Sequence, residues 1–166
     1  FWVEVGSSGA RTSPSWTEHT VSDDFDGARG VYAIDVDSDG DVDILGAGSG
    51  PGSEADEIVW WENDGSESFT KHTVDAGEDG SDVYATDVDG DGDVDILGTS
   101  QDGAYIAWWE NDGSEDFTKH IIDSDFNGGR SVYATDVDSD GDIDVLGVAW
   151  RNYDDNGWIG WWENDG

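Results

Sequence analysis

Five aspartates alternate with small or apolar residues over nine positions in the stretch Asp87-Val88-Asp89-Gly90-Asp91-Gly92-Asp93-Val94-Asp95, and nearly the same stretch recurs at 35–43 and 136–144. Carboxylates this close repel one another unless a cation sits among them. The alternation puts Asp87, Asp89 and Asp91 at positions 1, 3 and 5 of a loop, with Gly92 at position 6, where the chain must turn sharply. Asp93 at position 7 offers its backbone carbonyl, and Asp95 closes the loop at position 9. This is hard, all-oxygen ligation of the kind calcium prefers, with the early spacing of an EF-hand loop and a shorter closure. A single copy would also suit a solvated acidic turn; three copies in register argue against that reading.

The elements that must hold these loops show in the internal repeats. Trp-Trp-Glu-Asn-Asp-Gly occurs at 60–65, 108–113 and 161–166. The segment 69–74 (Phe-Thr-Lys-His-Thr-Val) is repeated at 117–122, and 16–21 is its diverged first copy. The period is 48 to 53 residues, and the repeats run 16–68, 69–116 and 117–166. Each reads as four short strands. Around the second aspartate loop 83–86 leads in, 94–98 leads out, 105–109 is the third strand, and 117–122, after an Asn-Asp-Gly turn, is the fourth. No helical period extends over a useful length. Four antiparallel strands repeated about every 50 residues are the pattern of propeller blades, so the expected fold is all-β, a single propeller domain over 1–166. Adjacent tryptophans fit it, because neighbouring strand residues point to opposite faces and a blade between two others needs apolar cover on both. Stacking of these rings on sugars is the functional alternative; their recurrence in every repeat favours the core.

The aspartate loop between two strands, followed by Trp-Trp-Glu-Asn-Asp-Gly, resembles the FG-GAP or VCBS-type repeat, which also builds the propeller of integrin alpha subunits. The resemblance covers 16–166, and Asp-x-Asp-x-Asp-Gly-x-x-Asp is met three times with no ligand missing. It implies three calcium ions, one per loop between the first and second strands. The side-chain ligands would be Asp35, Asp37, Asp39 and Asp43; Asp87, Asp89, Asp91 and Asp95; and Asp136, Asp138, Asp140 and Asp144. The carbonyls of Asp41, Asp93 and Asp142 would complete each set. The chain departs from the family in having three repeats where complete rings commonly have six to eight.

Composition narrows the partners. Of 166 residues, 41 are acidic and 6 basic, a net charge of −35. Nucleic acid and anionic membrane surfaces are excluded as partners by that sign, and no stretch of about 20 apolar residues crosses a membrane. Three dications would offset only six of the charges, so the remaining self-repulsion calls for screening by salt and points to a high-salt source. Ten tryptophans and regular apolar alternation oppose disorder. Cysteine is absent, so no disulfide or thiolate chemistry exists. His19, His72 and His120 share one fourth-strand position on separate repeats, too far apart to make a zinc site. No nucleophile–base set or phosphate-cradling loop is present, so a non-enzymatic role is expected.

The chain begins at Phe1 without methionine or a signal-peptide pattern and reads as a piece of a longer one. Residues 1–5 resemble a degraded third strand, and 6–15 a lengthened turn before the fourth strand at 16–21. The start thus carries an unpartnered fourth strand, and the repeat that stops at Gly166 lacks one. Other copies of the chain, or further blades, are the expected means of closing the ring. Segments 47–57, 99–103 and 148–157 differ among the repeats and share the face opposite the aspartate loops; Arg29, Arg130, Trp150, Arg151 and Tyr153 lie there as candidate ligand-binding residues. Two functions fit: a non-catalytic extracellular or cell-surface module for adhesion, glycan or protein binding or structural assembly, and an accessory propeller portion of a secreted polysaccharide-degrading enzyme.

Overall fold

The computed structural model describes residues 13–50, 56–77, 79–150 and 157–166. The strand remnant at 1–5, most of the turn after it, the middle of the first variable segment, and Arg151 and Tyr153 lie outside the described residues. Eleven strands and no helix are found among those described: β1 (Ala28–Ile34), β2 (Asp43–Gly48), β3 (Glu57–Asn63), β4 (Phe69–Ala76), β5 (Gly80–Thr86), β6 (Asp95–Ser100), β7 (Tyr105–Asn111), β8 (Phe117–Asp123), β9 (Gly129–Thr135), β10 (Asp144–Trp150) and β11 (Gly157–Trp162). They form antiparallel meanders: β1-β2-β3-β4, β5-β6-β7-β8 and the three-stranded β9-β10-β11. The sheets are the blades of an unclosed propeller, stacked in chain order, with the first strands β1, β5 and β9 side by side. Tyr32, Tyr84 and Tyr133 mark that inner row, their ring centroids 4.6 and 4.7 Å apart.

The tryptophan pairs divide between the two faces as alternation requires. Trp60 of the first sheet and Trp109 of the second meet in one core with Leu45, Ile58, Ile96 and Ala107. Trp108 and Trp162 pack into a second core with Leu97, Ile106, Phe126 and Val132. Trp60 and Trp108, the first rings of their pairs, face the following sheet, and Trp109 and Trp162, the second rings of theirs, face the preceding one. Each second ring lies over a glycine of the neighbouring strand: a Cβ on Gly46 would stand 2.6 Å from Trp61, one on Gly98 3.0 Å from Trp109, and one on Gly147 2.9 Å from Trp162. The apolar strand sequence Ile-Leu-Gly, Val-Leu-Gly in the third sheet, therefore carries its glycine to admit an indole.

The fourth strands hold the histidines. His72 stacks on Trp60 with centroids 4.6 Å apart, and its Nε2 lies 2.8 Å from Glu62. His120 repeats this on Trp108 at 4.8 Å, with Glu110 at 2.7 Å. Their separate blades keep them apart, and each ring is engaged within its own sheet.

Residues 16–21 form no strand. A strand is defined by its neighbour's hydrogen bonds, and this segment lies outside every sheet of the described chain. Trp16 is 89% exposed.

Candidate metal centres

Each aspartate loop joins the first and second strands of its sheet, leaving one edge of the meander and re-entering it within eight residues. Position 6 is glycine in all three, with φ of +99° at Gly40, +104° at Gly92 and +107° at Gly141. That left-handed conformation suits glycine because it has no Cβ to clash. Loop amides then turn inward onto the carboxylates. Asp35 accepts from Gly40 N at 3.0 Å, Asp87 from Gly92 N at 3.1 Å and Asp136 from Gly141 N at 3.2 Å. Positions 3 and 5 accept from the amides two residues on, as with Asp89 from Asp91 N and Asp91 from Asp93 N.

The closing aspartate differs from the rest. Asp43, Asp95 and Asp144 are fully buried. One oxygen accepts the amide of the residue after position 1: Val36 at 2.9 Å, Val88 at 2.8 Å and Val137 at 2.8 Å. The other accepts the amide of the asparagine in the Trp-Trp-Glu-Asn motif: Asn63 at 2.8 Å, Asn111 at 2.9 Å and Asn164 at 2.9 Å. This carboxylate clamps the exit of the first strand to the end of the third. The asparagines complete the brace, since Asn63 Nδ2 donates to the carbonyl of Val42, Asn111 to Val94 and Asn164 to Ile143. They are structural members of the site that a search for oxygen ligands passes over; their recurrence after each tryptophan pair is the signal that marks them.

Carboxylates converge in every loop. Asp35, Asp37 and Asp39 bring ligand atoms within 4.8 Å of one another, as do Asp87, Asp89 and Asp95, and Asp136, Asp138 and Asp144. Asp43, Asp91 and Asp140 stand outside these closest groups but within the same loops. Asp41, Asp93 and Asp142 turn their carboxylates toward the glycine of the Asn-Asp-Gly turn: a Cβ on Gly65 would fall 2.4 Å from Asp41 Oδ2, and one on Gly113 2.5 Å from Asp93 Oδ2. Their carboxylates thus stand beside the turn, away from the closest groups of the loop.

The donor set fits a hard cation. Asp35 Oδ1 is buried and accepts no hydrogen bond, leaving its lone pairs uncommitted. The clamp oxygens each accept one amide and retain a second lone pair. Burial pushes Asp95 up to about 6, ahead of the opposing effect of its two amide bonds and the added repulsion of Asp89 and Asp91. Asp37, Asp89 and Asp138 are raised too, desolvation first and neighbouring aspartates after it. Glu163 is raised chiefly by Asp165 and Asp138. Crowded anions hold protons when nothing else neutralises them, and a dication reverses that logic.

A pH signature follows for the metal-free chain. The folded pKa of Asp95 lies above the unfolded value of 3.8. Between about pH 4 and 6 the folded chain keeps a proton that the unfolded chain has lost, so stability falls as pH rises through that window. Protein dialysed free of divalent ions, melted at fixed ionic strength, is expected to show a higher Tm at pH 5 than at pH 7. Saturating calcium is expected to reverse the order, because the ion competes with protons for the same oxygens. Equal melting temperatures in the metal-free series would contradict it.

Of the proposed ligand-face residues, Arg29 donates from Nη1 to Asp79 Oδ1 at 3.0 Å, an ion pair between the first and second sheets. Arg130 lies over the Trp150 ring, 6.0 Å from its centroid, and Trp150 is 55% exposed.

No curated protein matches the chain significantly. A family model described as FG-GAP-like repeat matches it twice, over residues 35–98 and 87–147. The matched spans run from the first aspartate loop into β10 and take in every strand between. Repeats of this family are propeller-forming, generally non-catalytic modules, typical of extracellular proteins, and among the described residues no helix is long and apolar enough to cross a membrane. With three blades, three identically built acidic loops and a family match spanning more than half its length, the chain belongs to the FG-GAP-like repeat family.

Proposed function

We propose that the chain is a non-catalytic propeller module of an extracellular or cell-surface protein, that each acidic loop binds one calcium ion, three in all, and that the face opposite the loops binds a glycan or protein ligand. The carrying observation is the asymmetry between the two ends of the blades. One end repeats the same loop, clamp and Asn-Asp-Gly turn in every sheet. The other end carries connections that differ in length and content, around Arg130 and Trp150. A fixed scaffold with one variable face is how repeat proteins present a binding surface. A net charge of −35 on 166 residues supports a high-salt setting, where screening relieves the self-repulsion.

The ligand face is tested by a panel of neutral glycans passed over immobilised calcium-loaded protein in molar salt. Trp150→Ala is expected to reduce retention of the bound glycan at least tenfold, since an exposed aromatic contributes about 1–3 kcal/mol to such contacts. Calcium stoichiometry, measured by titration calorimetry, is expected to stay at three. Retention indifferent to both Trp150→Ala and Arg130→Ala would remove the face from the proposal.

A further inference from the structure

The three clamps are joined to one another across the junctions between blades. Position 2 of the first and second loops is valine, Val36 and Val88, and its amide is the one the clamp holds, 2.9 Å from Asp43 and 2.8 Å from Asp95. Loop residues ordinarily face solvent. These two are 2% and 8% exposed, because each side chain enters the core shared with the following sheet. The residue at position 8 of the following loop packs on that same core: Val94 on the one that holds Val36, and Ile143 on the one that holds Val88.

Position 8 leads back to a clamp. The carbonyl of Val94 accepts from Asn111 Nδ2 at 3.2 Å, and that of Ile143 from Asn164 Nδ2 at 3.3 Å. Each asparagine places its backbone amide on the clamp of its own sheet, Asp95 or Asp144, at 2.9 Å. At the second junction the link is also direct, since Asn164 Nδ2 donates to the Val88 carbonyl at 3.4 Å. At the first, Val36 and Asn111 line one crevice of about 40 Å³. Asp95 takes part in both junctions, holding Asn111 through one oxygen and Val88 through the other. A path of packed and hydrogen-bonded groups thus runs from Asp43 through Asp95 to Asp144.

We propose, on the reading of the loops as calcium sites, that Val36 and Val88 are positioning residues that couple neighbouring loops, so that loading one raises the calcium affinity of the next. An unloaded loop must hold mutually repelling carboxylates together, and loading removes that opposition. Position 2 lies between the first two ligands of its loop, Asp35 and Asp37 or Asp87 and Asp89. Fixing those ligands fixes the valine backbone between them, and with it the side chain's seat in the shared core. That seat orders position 8 and the asparagine of the next blade. Ordering already done lowers the cost of the next binding step, which is positive cooperativity. Linkage makes it reciprocal, so the later loop supports the earlier one equally. Charge acts the other way, because each dication makes its surroundings less negative. It does not turn attraction into repulsion, since a loop of five aspartates with one dication is still anionic. Molar salt shortens the Debye length to about 3 Å, which screens this opposing effect and leaves the packing in place. The path from the first loop to the third passes through Asp95, so the middle loop governs both of its neighbours.

The experiment titrates the whole 166-residue chain with calcium in molar potassium chloride, in competition with a chromophoric chelator. Three ions are expected, with a Hill coefficient above unity. Asp91→Ala silences the middle loop and leaves two that are not neighbours. These are expected to bind without cooperativity and at least about fivefold more weakly, the low end of ordinary coupling between sites. Asp140→Ala silences the third loop and leaves two neighbours, whose cooperativity is expected to persist. In an Asp39→Ala background, which leaves the second and third loops, Val88→Ala is expected to abolish cooperativity and Val36→Ala to spare it. Both truncations remove the same two methyl groups from a core, so a merely structural role would move both alike. Three ions with a Hill coefficient of unity overturn the coupling and leave the calcium reading standing, whereas no bound ion overturns both. Cooperativity that survives Asp91→Ala, or that Val88→Ala and Val36→Ala weaken equally, also overturns the coupling. The comparison of Asp91→Ala with Asp140→Ala leaves both cores intact, and it decides the matter where a valine variant fails to fold.

Discussion

Removing calcium from the chain is expected to lower its Tm by about 15–30 °C in ~0.2 M salt. The magnitude follows from linkage. One ion at a concentration of about 100 times its Kd contributes about 2.7 kcal/mol. Three such sites contribute about 8 kcal/mol, comparable with the whole stability of an ordinary domain at about 5–15 kcal/mol. A domain of this size loses roughly 2–4 °C per kcal/mol. Without the ion, each loop keeps five aspartates on nine residues, and only backbone amides and solvent oppose their repulsion. Molar sodium chloride reduces the Debye length to about 3 Å and should recover part of the loss without restoring the ligands. The check is a pair of melting series in sodium chloride, one at saturating calcium and one with chelator at pH 7. Both series are expected to rise with salt, and the gap between them to narrow. Coincident series would refute calcium as a structural ion, and a flat calcium series would refute the dependence on screening.

The clamp should be the most sensitive single position in each blade. Asp95→Ala is expected to cost about 3–5 kcal/mol even in metal-free protein. It deprives the amides of Val88 and Asn111 of their acceptor, and an unsatisfied buried donor costs about 1–3 kcal/mol. It also leaves a cavity at a site with no solvent access. Asp91→Ala makes the contrast. Its carboxylate accepts only the exposed amide of Asp93, so in metal-free protein its loss should be within about 0.5 kcal/mol of neutral. With calcium present it should become strongly destabilising, because a ligand is gone. Urea midpoints of the two variants with and without calcium separate the roles. If Asp95→Ala were harmful only when calcium is present, Asp95 would be a ligand and nothing more.

Much of this was legible from local spacing. The position-6 glycines, the alternating aspartates and the Asp-Gly turns act within nine residues or fewer, so their sequence alone fixes strand, loop and hairpin order. β5 to β8 fall where the repeat places them, because a two-residue apolar period and a turn signal leave a short segment few alternatives. The paired tryptophans were readable as cover for both faces of a blade for the same reason.

What spacing leaves open is decided by partners distant in sequence. Asp95 reads as a fourth ligand equal to the others; burial against Asn111, sixteen residues away, makes it the clamp. His72 and His120 read as structural residues of the fourth strand, and only the third strand, which lays Trp60 and Trp108 beneath them, shows what they hold. Phe25 and Phe126 recur in matching Asp-Phe-x-Gly-x-Arg stretches at 24–29 and 125–130, but only packing shows them wedged against a tryptophan of the next blade. Residues 16–21 have a strand's composition and form no strand with the described residues. The alternation of a segment is its own property, but a β-ladder belongs to two segments, and the second must be supplied by tertiary or quaternary structure.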